Sequence, residues 1–226
     1  MSGLLWSGVT LAVFAAARGI FVRTKIPLLH PMLVTTLAMI ALVESAGRPY
    51  ADYTRQTQWM VWLLGPGVVA LAVPIYRQRR VIFRQARLLL VVVLSTLLFS
   101  LGSTAGLLML CGARRAVIEA LALKSVTAAV AFAIAREVNA LPALAGIATM
   151  FAALLGATIG PWVLARAGVR DPRAVGLALG CGSHAVGTAR AFELGEQQGT
   201  YASVAMALTA LAAALICPAL FLLFGR

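Results

Sequence analysis

The chain has 226 residues, 62% of them hydrophobic and only 12% charged, with a mean hydropathy of +0.94. That apolar fraction excludes an ordinary soluble domain. The net charge of +12 does not point to nucleic acid, because most cations sit in short loops between apolar runs, where they orient a membrane protein and meet anionic headgroups. The fold class expected is all-α: a polytopic membrane protein with about six to eight apolar segments in one domain, residues 1–226.

A span needs about 20 apolar residues, and eight stretches joined by short loops approach that length. Segment one covers residues 4–22, ending in Arg18, Arg23 and Lys25 near the interface. It lacks a preceding basic region, so a cleaved signal peptide is not expected. Segment two, 32–46, follows Pro27, His30 and Pro31 and carries Glu44 close to its end. The polar stretch 47–58 reads as a loop, with Tyr50, Trp59 and Trp62 forming an interfacial aromatic belt. Segment three, 59–76, contains Gly65, Pro66 and Gly67, which remove a backbone donor and loosen the helix, so a break is expected there.

Arg77, Arg79, Arg80, Arg84 and Arg87 then form the strongest positive cluster, which places that loop in the cytoplasm. Segment four, 88–111, reads as an ordinary uncharged span. Segment five, 116–135, carries Glu119, Lys124, Ser125 and Thr127. Glu119 and Lys124 are about 140° apart on a helix, so a simple i, i+4 pair does not account for them. A break over residues 124–127 does, and a half-helix starting there offers free N–H groups to an anion. Segment six, 142–165, has the glycines and proline of close packing. Residues 166–173 return three arginines, and segment eight, 201–224, ends the chain. The two arginine-rich loops share a side only if segment five enters and leaves by one face.

Segment seven is the stretch around which the rest is organised. Within GLALGCGSHAVGTARAFE, residues 176–193, stand Ser183, His184, Thr188 and Arg190 among Gly176, Gly180, Gly182 and Gly187. Polar groups at membrane depth are costly and mark solute or ion paths. On a continuous helix Gly180, Ser183, Gly187 and Arg190 would share one face. Gly180 and Gly182 are candidate positions for a backbone break. Arg190 supplies a fork suited to a carboxylate, while Glu119 and Glu193 are candidates for charge balance or proton coupling. Glu193 is also placed to pair with Arg190 at i, i+3. The polar starts at Gly65, Lys124 and Ser183 fall 59 residues apart each time, a hint of the internal repeats found in inverted-repeat transporters. Cys111, Cys181 and Cys217 are dispersed in apolar surroundings, without metal-ligand spacing. No metal and no cofactor is expected.

Three stretches resemble the LrgB/CidB family of membrane proteins: LLGPGVVALAVPIYRQRR, ALKSVTAAVAFAI, and the run from DPRAVGLALG through SHAVGTARAFEL. The last is the most specific, being similar to the family's SHGIGTARALEL-type signature. The resemblance covers 31–226 most strongly. Ala185 replaces a usual glycine, Ala128 and Ala129 stand where Thr-Pro is common, and Thr209 where Asn is frequent. The resemblance implies transport of small carboxylates such as pyruvate, glycolate or glycerate, as in the plastid glycolate/glycerate translocators. It also implies, as a second reading, a holin- or antiholin-like component that acts with an LrgA/CidA-type partner on murein hydrolase activity and autolysis.

The residues expected to bind a small anionic solute are Lys124, Ser125, Thr127, Ser183, His184, Gly187, Thr188 and Arg190. Location in the bacterial cytoplasmic (inner) membrane, contact with membrane lipid and a homo-oligomeric state are expected. Catalysis is not: adjacent Ser183 and His184 diverge on a helix, and no GxSxG or HExxH occurs.

Overall fold

A computed structural model describes residues 5–24, 26, 29–63, 72–77 and 79–223. Among these the secondary structure is entirely helical, as expected. The described residues form eleven α-helices, in chain order α1 Leu5–Thr24, α2 Pro31–Ser45, α3 Tyr50–Trp62, α4 Ala72–Arg77, α5 Arg79–Arg84, α6 Ala86–Leu110, α7 Arg115–Ala122, α8 Ala128–Glu137, α9 Pro142–Arg166, α10 Pro172–Leu194 and α11 Glu196–Leu223. Among the described residues four are long and apolar enough to cross a membrane: α1, α6, α9 and α11. The apolar α2 has only 15 residues. The expected break at Gly65, Pro66 and Gly67 lies outside the described residues.

The chain forms two compact units, Met1–Val73 and Pro74–Arg226. In the first, the stretch read as a polar loop is helix α3. Pro49 sets its start, and YADYTRQTQWMVW holds no glycine or proline to stop it. Its partner is the start of α1: Ser7 Oγ donates to the Gln56 carbonyl at 2.5 Å and accepts from Trp59 Nε1 at 2.8 Å.

In the second unit, hydrogen bonds fix which helix ends lie together. Tyr201 Oη donates to Gln85 Oε1 at 2.9 Å, joining the start of α11 to the start of α6. Asp171 and Arg173, at the start of α10, lie beside Tyr201. Asp171 caps α10 by accepting from the Arg173 N–H at 2.8 Å. The Arg173 side chain also bonds that carboxyl and holds it below the usual carboxylate range. At the other end of the 25-residue α6, Arg115 donates to the Phe221 carbonyl at 3.0 Å, joining the start of α7 to the end of α11.

Helix ends follow local rules. Gly112 (φ 67°), Asn139 (φ 56°) and Gly168 (φ 78°) adopt the left-handed conformation just past α6, α8 and α9. Each lets the next N–H reach back to an otherwise unpaired carbonyl, as Ala113 does to Leu108, Ala140 to Ala135 and Val169 to Leu164.

The largest core cluster surrounds the interruption between α7 and α8. Leu97 and Leu101 of α6, Ala145 of α9, and Ala213 and Cys217 of α11 enclose Leu123, Val126, Ala131 and Ile134. Burying a non-helical segment among apolar side chains satisfies the rule that irregular backbone at membrane depth lies against protein.

Candidate functional site

Two chain interruptions meet in the second unit. After α7 the chain tightens into a 3₁₀ turn, Leu123–Ser125, and then opens into extended backbone at Val126 (φ −122°, ψ 157°) and Thr127 (φ −59°, ψ 143°). Thr127 stands at the N-cap of α8, so the first N–H groups of that helix open onto the break. The missing proline at 128–129 is not needed for it.

The second interruption is His184, at φ 45° and ψ −126° inside α10. Such a backbone is rare for a residue with a Cβ and costs about 1–3 kcal/mol. The expected break in segment seven is therefore present, but at His184 rather than at Gly180 or Gly182. Those two glycines lie in a regular helical arm. Gly180 is used for close approach, since a Cβ there would lie 2.7 Å from Ala202 Cα, against the backbone of α11.

The continuous face expected for Gly180, Ser183, Gly187 and Arg190 is overturned by the same break. A Cβ on Gly187 would meet the Leu179 carbonyl and Ser183 Cβ. Residues eight apart stand about 12 Å apart along an unbroken helix. The arm 185–194 therefore runs back beside the arm 172–183, and Ala191 joins Leu179 and Ala202 in one buried cluster.

The two breaks touch. The His184 imidazole is buried and faces the backbone of Lys124 and Ser125, while its Nε2 has no hydrogen-bond partner among the described residues. Ser183 is buried against α9, where Gly156 leaves room for its hydroxyl. Lys124 Nζ donates to Ser100 Oγ at 3.0 Å and to Thr104 Oγ1 at 2.5 Å, and Ser100 also shares a short hydrogen bond with Ser125. Among the described residues no carboxylate pairs with Lys124. A half-buried ammonium with two of its three N–H donors on hydroxyls keeps a donor and its charge for an anion.

The other candidates have separate roles. Glu119 is buried and pairs with Arg115 at 2.6 Å rather than with Lys124. Arg190 pairs with Glu193 at 2.6 Å, as the i, i+3 spacing anticipated. Thr188 is buried, with its hydroxyl 3.8 Å from Met206 Sδ. The structure thus gathers Lys124, Ser125, Ser183 and His184 at the breaks, with Thr127 opening α8 beside them. Arg190 and Glu193 form a distinct pair further along α10.

Two participants escaped the sequence reading. Ser100 and Thr104 lie in α6, whose sequence reads as an ordinary span. Their i, i+4 spacing put two hydroxyls on one face of an apolar helix, which was the available signal.

The profile of the LrgB-like family matches residues 10–223. The chain belongs to the LrgB-like family. Among similar proteins of this family, the uncharacterized protein YxaC of Bacillus subtilis is 33% identical over 96% of this chain and 94% of its own length. An uncharacterized protein of Haemophilus influenzae is 30% identical over the same shares. The holin-like protein CidB of Staphylococcus epidermidis is 29% identical, again over 96% and 94%. No solved structure matches the chain. Family and helices together make this LrgB-like chain a membrane protein of bacterial type.

His184 offers a test of strain against function in this LrgB-like site. His184→Gly relieves the left-handed φ, about 1–3 kcal/mol, but empties the buried space the imidazole fills, so thermal stability in detergent should change little. It also removes the imidazole between the breaks, so any solute-dependent activity should fall. Lower stability in His184→Gly would show that the imidazole contacts outweigh the strain.

Proposed function

We propose that the chain is a multi-pass carrier of small organic acids, of the glycolate, glycerate or pyruvate type, in the bacterial cytoplasmic membrane. The observation that carries this reading is Lys124: a cation at a chain break, held by the Ser100 and Thr104 hydroxyls, with Ser125 bonded in turn to Ser100, and with no carboxylate partner among the described residues. A carboxylate would bind the ammonium and the open N–H groups of α8, and its hydroxyl or keto oxygen would bond Ser183 or His184. Broken helices with free half-helix ends facing an anion are the usual construction of such sites. No catalytic step is proposed.

The reading extends to architecture. Residues 115–137 and 172–194 are two half-depth hairpins that enter from opposite ends of the second unit, with Lys124 and His184 at their tips. Flanking them, α6 and α9 bracket the first, and α9 and α11 bracket the second, in the manner of an inverted repeat. The four-residue connection 138–141 supports this, since it keeps the end of α8 beside the start of α9. In this arrangement 77–87 and 166–173 lie on one side, as the Tyr201–Gln85 bond beside Asp171 and Arg173 also favours.

Single cysteines at residues 80 and 170, in a background without Cys111, Cys181 and Cys217, should both resist an impermeant thiol reagent in intact cells. Labelling of only one of them overturns the hairpin arrangement.

The name of the staphylococcal relatives, holin-like protein CidB, favours a second reading. In it the chain acts with an LrgA/CidA-like membrane partner, or as a homo-oligomer, to regulate murein hydrolase activity and autolysis. Purified chain in liposomes separates the two. A carrier takes up labelled glycolate saturably and retains a trapped neutral dye. A pore releases the dye, and that result would end the carrier reading.

A further inference from the structure

Away from the Lys124 site, a cavity of about 630 Å³ opens between α6, α7 and the end of α11. Its wall is apolar, formed along α6 by Leu98, Gly102, Ala105, Gly106 and Met109 and closed by Phe221. Charge occurs only at one end, where Arg115 and Glu119 line it. We infer that this is a binding site for one anionic phospholipid, an acyl chain lying in the trough and the phosphate at Arg114 and Arg115.

Three observations support that occupant. The first is length. From Leu98 to Met109 the helix rises by eleven residue steps, about 16 Å, against about 15 Å for one leaflet of a bilayer core. A partner transmembrane helix would need a groove about twice as long.

The second is the glycines. A Cβ added to Gly102 or Gly106 would meet nothing within 4 Å, so their lack of a side chain serves no contact within this chain. It does deepen a trough whose rims, Leu98 and Met109, are 48% and 62% exposed. Such a trough suits a flexible chain packing along a helix.

The third is charge. Arg114 is exposed and the Arg115 side chain is 52% exposed. Glu119 neutralises one of the two arginines, at 2.6 Å. One net positive charge then remains where the trough meets the headgroup region, which favours a phosphodiester without a cationic headgroup. Arg115 also holds the Phe221 carbonyl, so a phosphate there would sit at the clamp between α7 and α11.

Native mass spectrometry of the purified chain with phosphatidylglycerol and phosphatidylcholine of matched acyl chains tests this. Wild type should retain one phosphatidylglycerol per chain in preference to phosphatidylcholine. Gly106→Leu fills the trough in open space, so its thermal unfolding without added lipid should be unchanged and its retained lipid lost. Arg114→Gln should keep a lipid but lower the preference for phosphatidylglycerol about fivefold. The double variant Arg115→Gln/Glu119→Gln removes the mouth's ion pair but leaves its net charge unchanged, so it should weaken retention of phosphatidylglycerol while keeping the preference over phosphatidylcholine. Equal retention of both lipids by wild type would overturn the site, as would undiminished phosphatidylglycerol on Gly106→Leu. Loss of an oligomer rather than a lipid in Gly106→Leu would overturn it in favour of a protein contact.

Discussion

Lys124→Met should reduce glycolate uptake into proteoliposomes about a hundredfold or more at low substrate, while the purified protein stays folded. Removing one partner of a desolvated, hydrogen-bonded charge pair costs about 2–5 kcal/mol, and Lys124 has no carboxylate in the chain to strand. The Ser100 and Thr104 hydroxyls on Nζ can bond their neighbours once the ammonium is gone, as Ser100 already does Ser125. Lys124→Arg keeps the charge but brings a wider planar group into a space shaped by two hydroxyls, so uptake should fall between the two. Thermal unfolding in the same detergent is the control. A variant that loses uptake only because it unfolds would show a lowered midpoint, and Lys124→Met should not.

The second large effect concerns folding. Gly180→Ala should destabilise the protein by about 3 kcal/mol, because its Cβ would press on the Ala202 backbone, 2.7 Å from Cα. Two helix backbones in contact have no flexible side chain to yield. Gly182→Ala, two residues on, should be nearly silent, since nothing lies within 4 Å of its Cβ. Chemical unfolding in detergent of the two variants side by side measures the difference. Equal stabilities would mean that α10 and α11 do not pack backbone to backbone.

Much of this was legible in the sequence for a physical reason. Lys124 with Ser125 and Thr127 in an apolar run contradicts an ordinary span, and the chain does break there. The limits of α6 and α9 followed from uninterrupted hydropathy and flanking arginines or prolines.

Other features depend on tertiary contacts. Glycine was read as a hinge at Gly180, yet in a membrane a small residue serves equally for close packing. The strained residue is His184, which no backbone propensity would choose. Hydroxyls in apolar helices commonly bond back to their own turn, as Thr149 does to Ala145 and Thr158 to Leu154. The i, i+4 spacing of Ser100 and Thr104 was therefore a weak mark until Lys124 was brought to them. Arg190 pairs with Glu193 across one turn, as their spacing in the sequence suggests.

In the proposed carrier an anionic solute binds at the Lys124 ammonium. A Lys124→Cys variant tests it most directly, in a background with the exposed Cys111 and the buried Cys181 and Cys217 replaced. Uptake of labelled glycolate should be lost and then restored by an aminoethyl thiosulfonate, which rebuilds a lysine-like cation, but not by the neutral methyl reagent. Glycolate present during modification should slow it. Uptake that survives in the unmodified variant, or returns equally with either reagent, would contradict a cationic site at this position.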